Sequence, residues 1–177
     1  GMSKYSYIKK DILNTIYESD VVVSMMIDFY RLPSDFPGFG ELSNSQTHQE
    51  QADLLETRIK KDLEDSQNQL FDNFIPYIQL HEFEALVFAS INGIDSLFER
   101  SEMDYNGLMN VIQQHPNPED INNHPDTAPS VRLKKLIPGY NKVLHGIDII
   151  NTVGMAELLE KCPRFKAWIE SMEEVLK

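Results

Sequence analysis

"VVVSMMIDFYRLP", residues 21–33, is the stretch on which the fold turns. It is apolar but for Ser24 until Asp28 arrives between Ile27 and Phe29. The run predicts a strand over Val21 to Phe29. Its near-continuous apolar character, without alternation, predicts burial on both faces, the habit of parallel sheets in α/β folds. An acid at the carboxyl end of such a strand lies where α/β folds place their ligands. Carboxylates there suit magnesium or manganese, which prefer hard oxygen donors. An aspartate is equally an ordinary turn residue closing a strand. The residues alone leave both readings open.

Upstream, Tyr5, Ile8, Ile12 and Ile16 recur at three- and four-residue steps, which predicts an amphipathic helix from about Lys4 to Glu18. Gly1 before Met2 reads as a tag remnant, with the natural chain beginning at Met2. Downstream, Arg31 to Ser45 holds prolines and glycines and reads as a long ordered loop. Ser45 to about Ser66 is a charged helix with Ala52, Leu55, Ile59 and Leu63 on one face. Phe74 to Leu80, "FIPYIQL", reads as a second strand, and Pro76 suits an edge position. His81 to Ser90, "HEFEALVFAS", reads as a helix.

No strand is expected after Leu80. Short helices are expected over 93–100, 103–114, 130–137, 141–151 and 155–161, and a last one from Pro163 to about Leu176. The layout is an incomplete α/β core, residues 1–92, followed by a helical region, residues 93–177.

The 177-residue chain carries a net charge of −12. A field of that sign does not attract nucleic acid, so any phosphate contact needs a local basic patch, metal ions or a basic partner. Cys162 is the one cysteine, which excludes an internal disulfide framework and suits a reducing cytoplasm. No apolar run reaches the roughly 18 residues of a membrane span.

Three groups of residues carry candidate chemistry. Asp28 is the first. Glu82 and Glu84, flanking Phe83, are the second. Acids at a helix start also complement its dipole, and on a helix residues two apart face nearly opposite ways, so only an extended segment lets both face one site. His81 beside them reads as a cap, a ligand or a general base. The third is "SVRLKKLIPGYNK", Ser130 to Lys142, whose Arg132, Lys134, Lys135 and Lys142 form the one notable basic stretch. It suits phosphate contact and suits a solvated helix face or a partner contact as well.

"MMIDFYRLPSDFPG", "FIPYIQLHEFEALVF", "APSVRLKKLIPGYNKVLHG" and "CPRFKAW" together resemble an uncharacterised prokaryotic family, domain-of-unknown-function family 4276, regarded as Toprim-like. The resemblance implies an incomplete Toprim-like, Rossmann-like α/β fold with a mainly parallel sheet and an all-helical C-terminal half. Toprim domains occur in topoisomerases, primases and overcoming-lysogenization-defect nucleases. They hold divalent metal with a glutamate after the first strand and an Asp-x-Asp after a later one. Asp28 matches the first aspartate of that pair, and Tyr30 stands at the second. Glu84 or Glu82 matches the further glutamate of the nuclease members, and the "FEALVF" context favours Glu84. A strand with a "VEGxTE"-like turn, which carries the first glutamate in family members, is missing ahead of the Asp28 strand.

The resemblance thus implies a magnesium- or manganese-dependent nuclease or phosphoesterase domain with an incomplete site. Asp28, Glu84 and Glu82 are its expected metal ligands, His81 an expected catalytic neighbour, and Arg132, Lys134 and Lys142 its expected phosphate contacts. Family genes adjoin ATPase genes in the manner of mobile-element or phage-defence systems. The rival expectation is therefore a non-catalytic acidic module that regulates a partner ATPase. A homodimer through the exposed edge of the Asp28 strand is a further expectation.

Overall fold

The computed structural model describes residues 4–30, 32–121 and 124–177. Gly1 and Met2, read as tag remnant and natural start, and Arg31, the first residue of the expected loop, lie outside the described residues. The chain is mixed α/β and divides into two compact units, 1–80 with 168–177, and 81–167. The expected boundary at 92/93 falls inside the second unit.

The first unit runs α1 (Tyr5–Thr15), β1 (Val23–Asp28), a 3-10 turn (Phe39–Glu41), α2 (His48–Gln67) and β2 (Phe74–Gln79). The two strands pair in parallel, from Val23 opposite Phe74 to Asp28 opposite Gln79. Parallel neighbours need a crossover connection, and α2 supplies it. The expected burial of β1 on both faces is corrected here. Only Met25 of β1 is buried and the rest is half-buried, because β1 has one strand neighbour among the described residues. β2 is better covered, with Phe74, Tyr77, Ile78 and Gln79 buried. Pro76 takes an edge strand, as its missing N–H requires. The outer edge of β2 is blunted by Glu56 of α2, whose Oε1 accepts the Ile78 N–H at 2.7 Å.

The predicted stripe of α2 is the centre of this unit. Ala52, Leu55, Ile59 and Leu63 are all fully buried, and each of the larger three contributes roughly 1.5–3 kcal/mol of burial. Thr47 and Glu50 form a reciprocal capping box at the helix start, which satisfies two otherwise orphaned N–H groups. Asp62, on the same helix, accepts from the Tyr5 hydroxyl at 2.8 Å and pairs with Lys9 at 2.7 Å. Asp35 in the loop accepts the Tyr5 N–H at 3.0 Å and so caps α1, whose own cap residue Lys4 makes no side-chain bond. Ser24, the polar break in the apolar run, has a structural task. Its hydroxyl donates to the Ile75 carbonyl and accepts the Trp168 indole N–H at 2.8 Å. Trp168 also stacks on Tyr77 with ring centroids 4.6 Å apart.

The second unit has no strand among its described residues. It holds a 3-10 stretch (Phe83–Ala89), α3 (Ile91–Asp95), a 3-10 turn (Arg100–Glu102), α4 (Tyr105–Gln114), a 3-10 turn (Pro118–Asp120), α5 (Pro129–Leu136) and α6 (Lys142–Lys161). α7 (Pro163–Val175) opens in this unit, and the division falls within it, after Ala167. The helix expected over 81–90 is instead the 3-10 stretch. His81 has φ 63° and Glu82 is extended, so helical winding cannot begin before Phe83. Glu84 to Ala89 are then buried without a break.

The two helices expected over 141–161 meet at Gly154, whose φ of 79° and ψ of 157° break α6. A non-glycine residue rarely adopts that φ. Gly93 answers a different demand: a Cβ there would lie 2.7 Å from Val153 and 2.8 Å from Ile149, so its absence lets α3 approach α6. Glu119, buried, accepts the Arg164 and Phe165 N–H groups at 2.9 and 3.0 Å and so holds the first turn of α7. Burial, and then the charge of Glu119, push the Cys162 thiol up to about 12. No described helix is long and apolar enough to cross a membrane.

Candidate functional site

Asp28 is the last residue of β1 and lies in register with Gln79. It is half-buried, and the strand pairing continues past it, with the Phe29 N–H donating to the Gln79 carbonyl at 2.9 Å. Gln79 is fully buried beside it. The Gln79 Oε1 accepts the Tyr77 hydroxyl at 3.1 Å, and its amide donates to the Leu80 carbonyl at 3.2 Å. The acid therefore stands at a strand terminus whose neighbouring polar group is already committed.

The second unit gathers most of the other predicted residues. Glu82 and Glu84 are both buried, with 8% and 0% exposure, yet they serve different partners. Glu82 accepts the Ser130 N–H at 2.9 Å and the Ser130 hydroxyl at 3.0 Å. It caps α5, whose N-cap Ala128 has no side chain to do so, and its charge complements that helix's dipole. The expectation that Glu82 complements the start of a helix over 81–90 is corrected: it serves the start of α5, a helix distant in sequence.

Glu84 receives Lys142, whose Nζ lies 2.8 Å from Oε2. Its other oxygen, Oε1, is buried and has no hydrogen-bond partner, and the same holds for the Tyr140 hydroxyl. Burial raises the Tyr140 phenol well above its ordinary value, and the charges of Glu84 and Glu82 add to the rise. Tyr140 was not among the residues singled out from sequence. "PGYNK" shows a turn, but no periodicity marks its tyrosine as the neighbour of two glutamates far upstream.

Of the basic residues, Lys142 is engaged by Glu84, and Arg132 donates through Nε to the Thr127 carbonyl at 2.6 Å. Lys134 and Lys135 are exposed on α5. His81 is buried, in the left-handed region, and does not cap the 3-10 stretch, whose N-cap is Glu82.

No group of three or more His, Cys, Asp or Glu side chains suited to a metal occurs among the described residues. Magnesium keeps several waters and is commonly held by one or two carboxylates. Glu84 offers one such carboxylate, with its Oε1 buried and without a hydrogen-bond partner.

The arrangement is that of an α/β domain with one acid ending an edge strand and a second acid buried under a lysine. The chain belongs to the family described as Domain of unknown function (DUF4276), whose model matches residues 2–173. No curated protein and no solved structure matches it.

Proposed function

We propose that this is a Toprim-like, metal-dependent phosphodiester-cleaving domain of the nuclease type. The observation that carries the reading is Glu84, buried completely with one carboxylate oxygen unpaired. An orphaned buried acceptor costs stability, and such groups concentrate where function requires them. In this reading Asp28 and Glu84 are each carboxylate ligands for Mg2+ or Mn2+, and Glu82 is a further one. The bound ion would supply the charge that polarises a phosphate and lowers the pKa of a water. Arg132 and Lys134 contribute cations toward the phosphate, and His81 lies next to the acids in sequence. The reading places the protein in the cytoplasm, within a defence or mobile-element system.

The test is cleavage of single- and double-stranded DNA and of RNA with magnesium or manganese. Cleavage that disappears in both Asp28→Asn and Glu84→Gln supports the reading. Cleavage that is absent, or unchanged in either variant, sinks it.

A specific observation favours a second reading, a regulatory module for a partner ATPase. Val143, Leu144 and Ile147 of α6 are 79%, 64% and 62% exposed, one apolar face on an acidic protein. Co-purification with the ATPase that is lost in Ile147→Glu would support it. A third expectation, pairing of the β1 edge with a second copy, predicts a dimer by light scattering, and a clean monomer removes it.

A further inference from the structure

The sheet of the first unit has two edges, and they are treated in opposite ways. Along the outer edge of β2 the donors are removed one by one. The Phe71 carbonyl takes the Phe74 N–H at 3.1 Å, Pro76 has no N–H, and Glu56 takes the Ile78 N–H at 2.7 Å. Proteins blunt exposed edges in such ways, because an open edge is a template for pairing with another chain. β1 has no comparable device. Its Val23 and Phe29 N–H groups donate to the Asn73 and Gln79 carbonyls at 2.8 and 2.9 Å, and the two-residue period of a strand sends those of Met25 and Ile27 the same way. Ser24 and Met26 therefore turn their N–H and C=O groups outward, to an edge where no further strand lies among the described residues. No proline and no charge interrupts the run from Val21 to Ile27.

A groove of about 420 Å³ accompanies that edge. Ile8 and Ile12 of α1 form one wall, Val23 and Met25 of β1 form the other, and no residue of β2 lines it. It therefore opens on the outer side of β1. A row of outward backbone groups beside an apolar groove for alternate side chains makes up a strand-addition site. Charge selects the strand. Asp11 is the charged residue of the lining, and acids flank the neutral run, Glu18 and Asp20 before it and Asp28 after it. A second copy pairing antiparallel would bring the acids before one run toward the acid that ends the other. Like charges so placed are unfavourable, and each copy carries −12 in all.

We propose that the outer edge of β1 is a docking site for an extended segment of a different polypeptide, apolar at alternate positions and ending in Lys or Arg. Its backbone pairs with Ser24 and Met26. Its apolar side chains enter the groove between α1 and β1, and its cations meet Asp11 and the flanking acids. The proposal stands apart from the reading of Glu84 as a metal ligand.

The probe is the end-blocked peptide Lys-Val-Thr-Val-Ser-Ile-Lys, titrated into the isotope-labelled full chain and followed by NMR and amide hydrogen exchange. Saturable binding should slow exchange of the Ser24 and Met26 amides several-fold. Val23, Met25 and Ile27, already paired with β2, should stay as they were. The same peptide with Glu in place of Lys, and the same peptide N-methylated along its backbone, should each bind about tenfold more weakly or worse. Met26→Pro, which removes an outward donor and spares the ladder with β2, should weaken binding by about as much. If that variant does not fold, the N-methylated peptide decides. Absence of saturable binding overturns the proposal, as does equal binding of the glutamate or N-methylated peptide, or protection that bypasses Ser24 and Met26. A chain that is already a dimer by light scattering, and a monomer in Met26→Pro, gives the edge to a second copy and overturns it too.

Discussion

Asp28 and Glu84 are both acids that follow a strand, and their surroundings could hardly differ more. Asp28 ends a half-buried edge strand, in a unit whose stability comes from the Leu55, Ile59 and Leu63 stripe beneath the sheet. Glu84 lies in an unbroken buried stretch of the helical unit, held by a single lysine. An acid at a strand end can stay hydrated and ionised at little cost. A buried one stays ionised only if a cation compensates it. The difference teaches that the two acids place different demands on the fold: Asp28 keeps some contact with solvent, whereas Glu84, fully buried, depends on the cation beside it.

The largest expected effect comes from stranding the buried charge. Lys142→Met should destabilise the protein by about 2 kcal/mol, because Glu84 then has no compensating cation. Urea denaturation checks this, and a loss under about 0.5 kcal/mol would break the contrast. The reciprocal change should cost less. Glu84→Gln removes the buried charge itself, so the loss should stay below about 1 kcal/mol. If it exceeds that of Lys142→Met, the carboxylate is not the strained partner.

Asp28→Asn should be smaller again, within about 0.5 kcal/mol of the unaltered chain, because asparagine keeps the side chain's size and an acceptor oxygen at a half-buried strand end. A loss near that of Lys142→Met would make Asp28 structural and erase the comparison from the other side.

The smallest effect is a pH dependence. Burial, with a contribution from Arg132, holds His115 below the ordinary imidazole range. The unfolded chain therefore binds that proton more readily. The stability it contributes is present above the ordinary value of roughly 6.5 and is lost as pH falls through the lower folded value. Thermal melts from neutral to mildly acid pH should show a shallower decline in His115→Gln than in the unaltered chain.

The local parts of this structure were legible in the sequence. The four buried positions of α2 follow from their spacing, and both strands from their apolar runs. Burial on both faces of β1 was not, because an apolar run records what a strand tolerates, not how many neighbours it has. The 3-10 winding after β2 was hidden by the left-handed backbone at His81, a residue that announces no such turn. The pairings that define the site lay furthest from view. Glu84 with Lys142, Glu82 with Ser130, and Asp35 with the start of α1 all join segments remote in sequence, and no local pattern encodes them. The expectation of Lys142 as a phosphate contact misses its pairing with Glu84 for the same reason.

The most direct measurement is a manganese titration of the unaltered chain and of Glu84→Gln, followed by calorimetry. The account predicts saturable binding to the unaltered chain and its loss in Glu84→Gln, with both proteins folded by circular dichroism. Binding of equal affinity in the two would contradict it, because the buried carboxylate would then have no part in holding the ion.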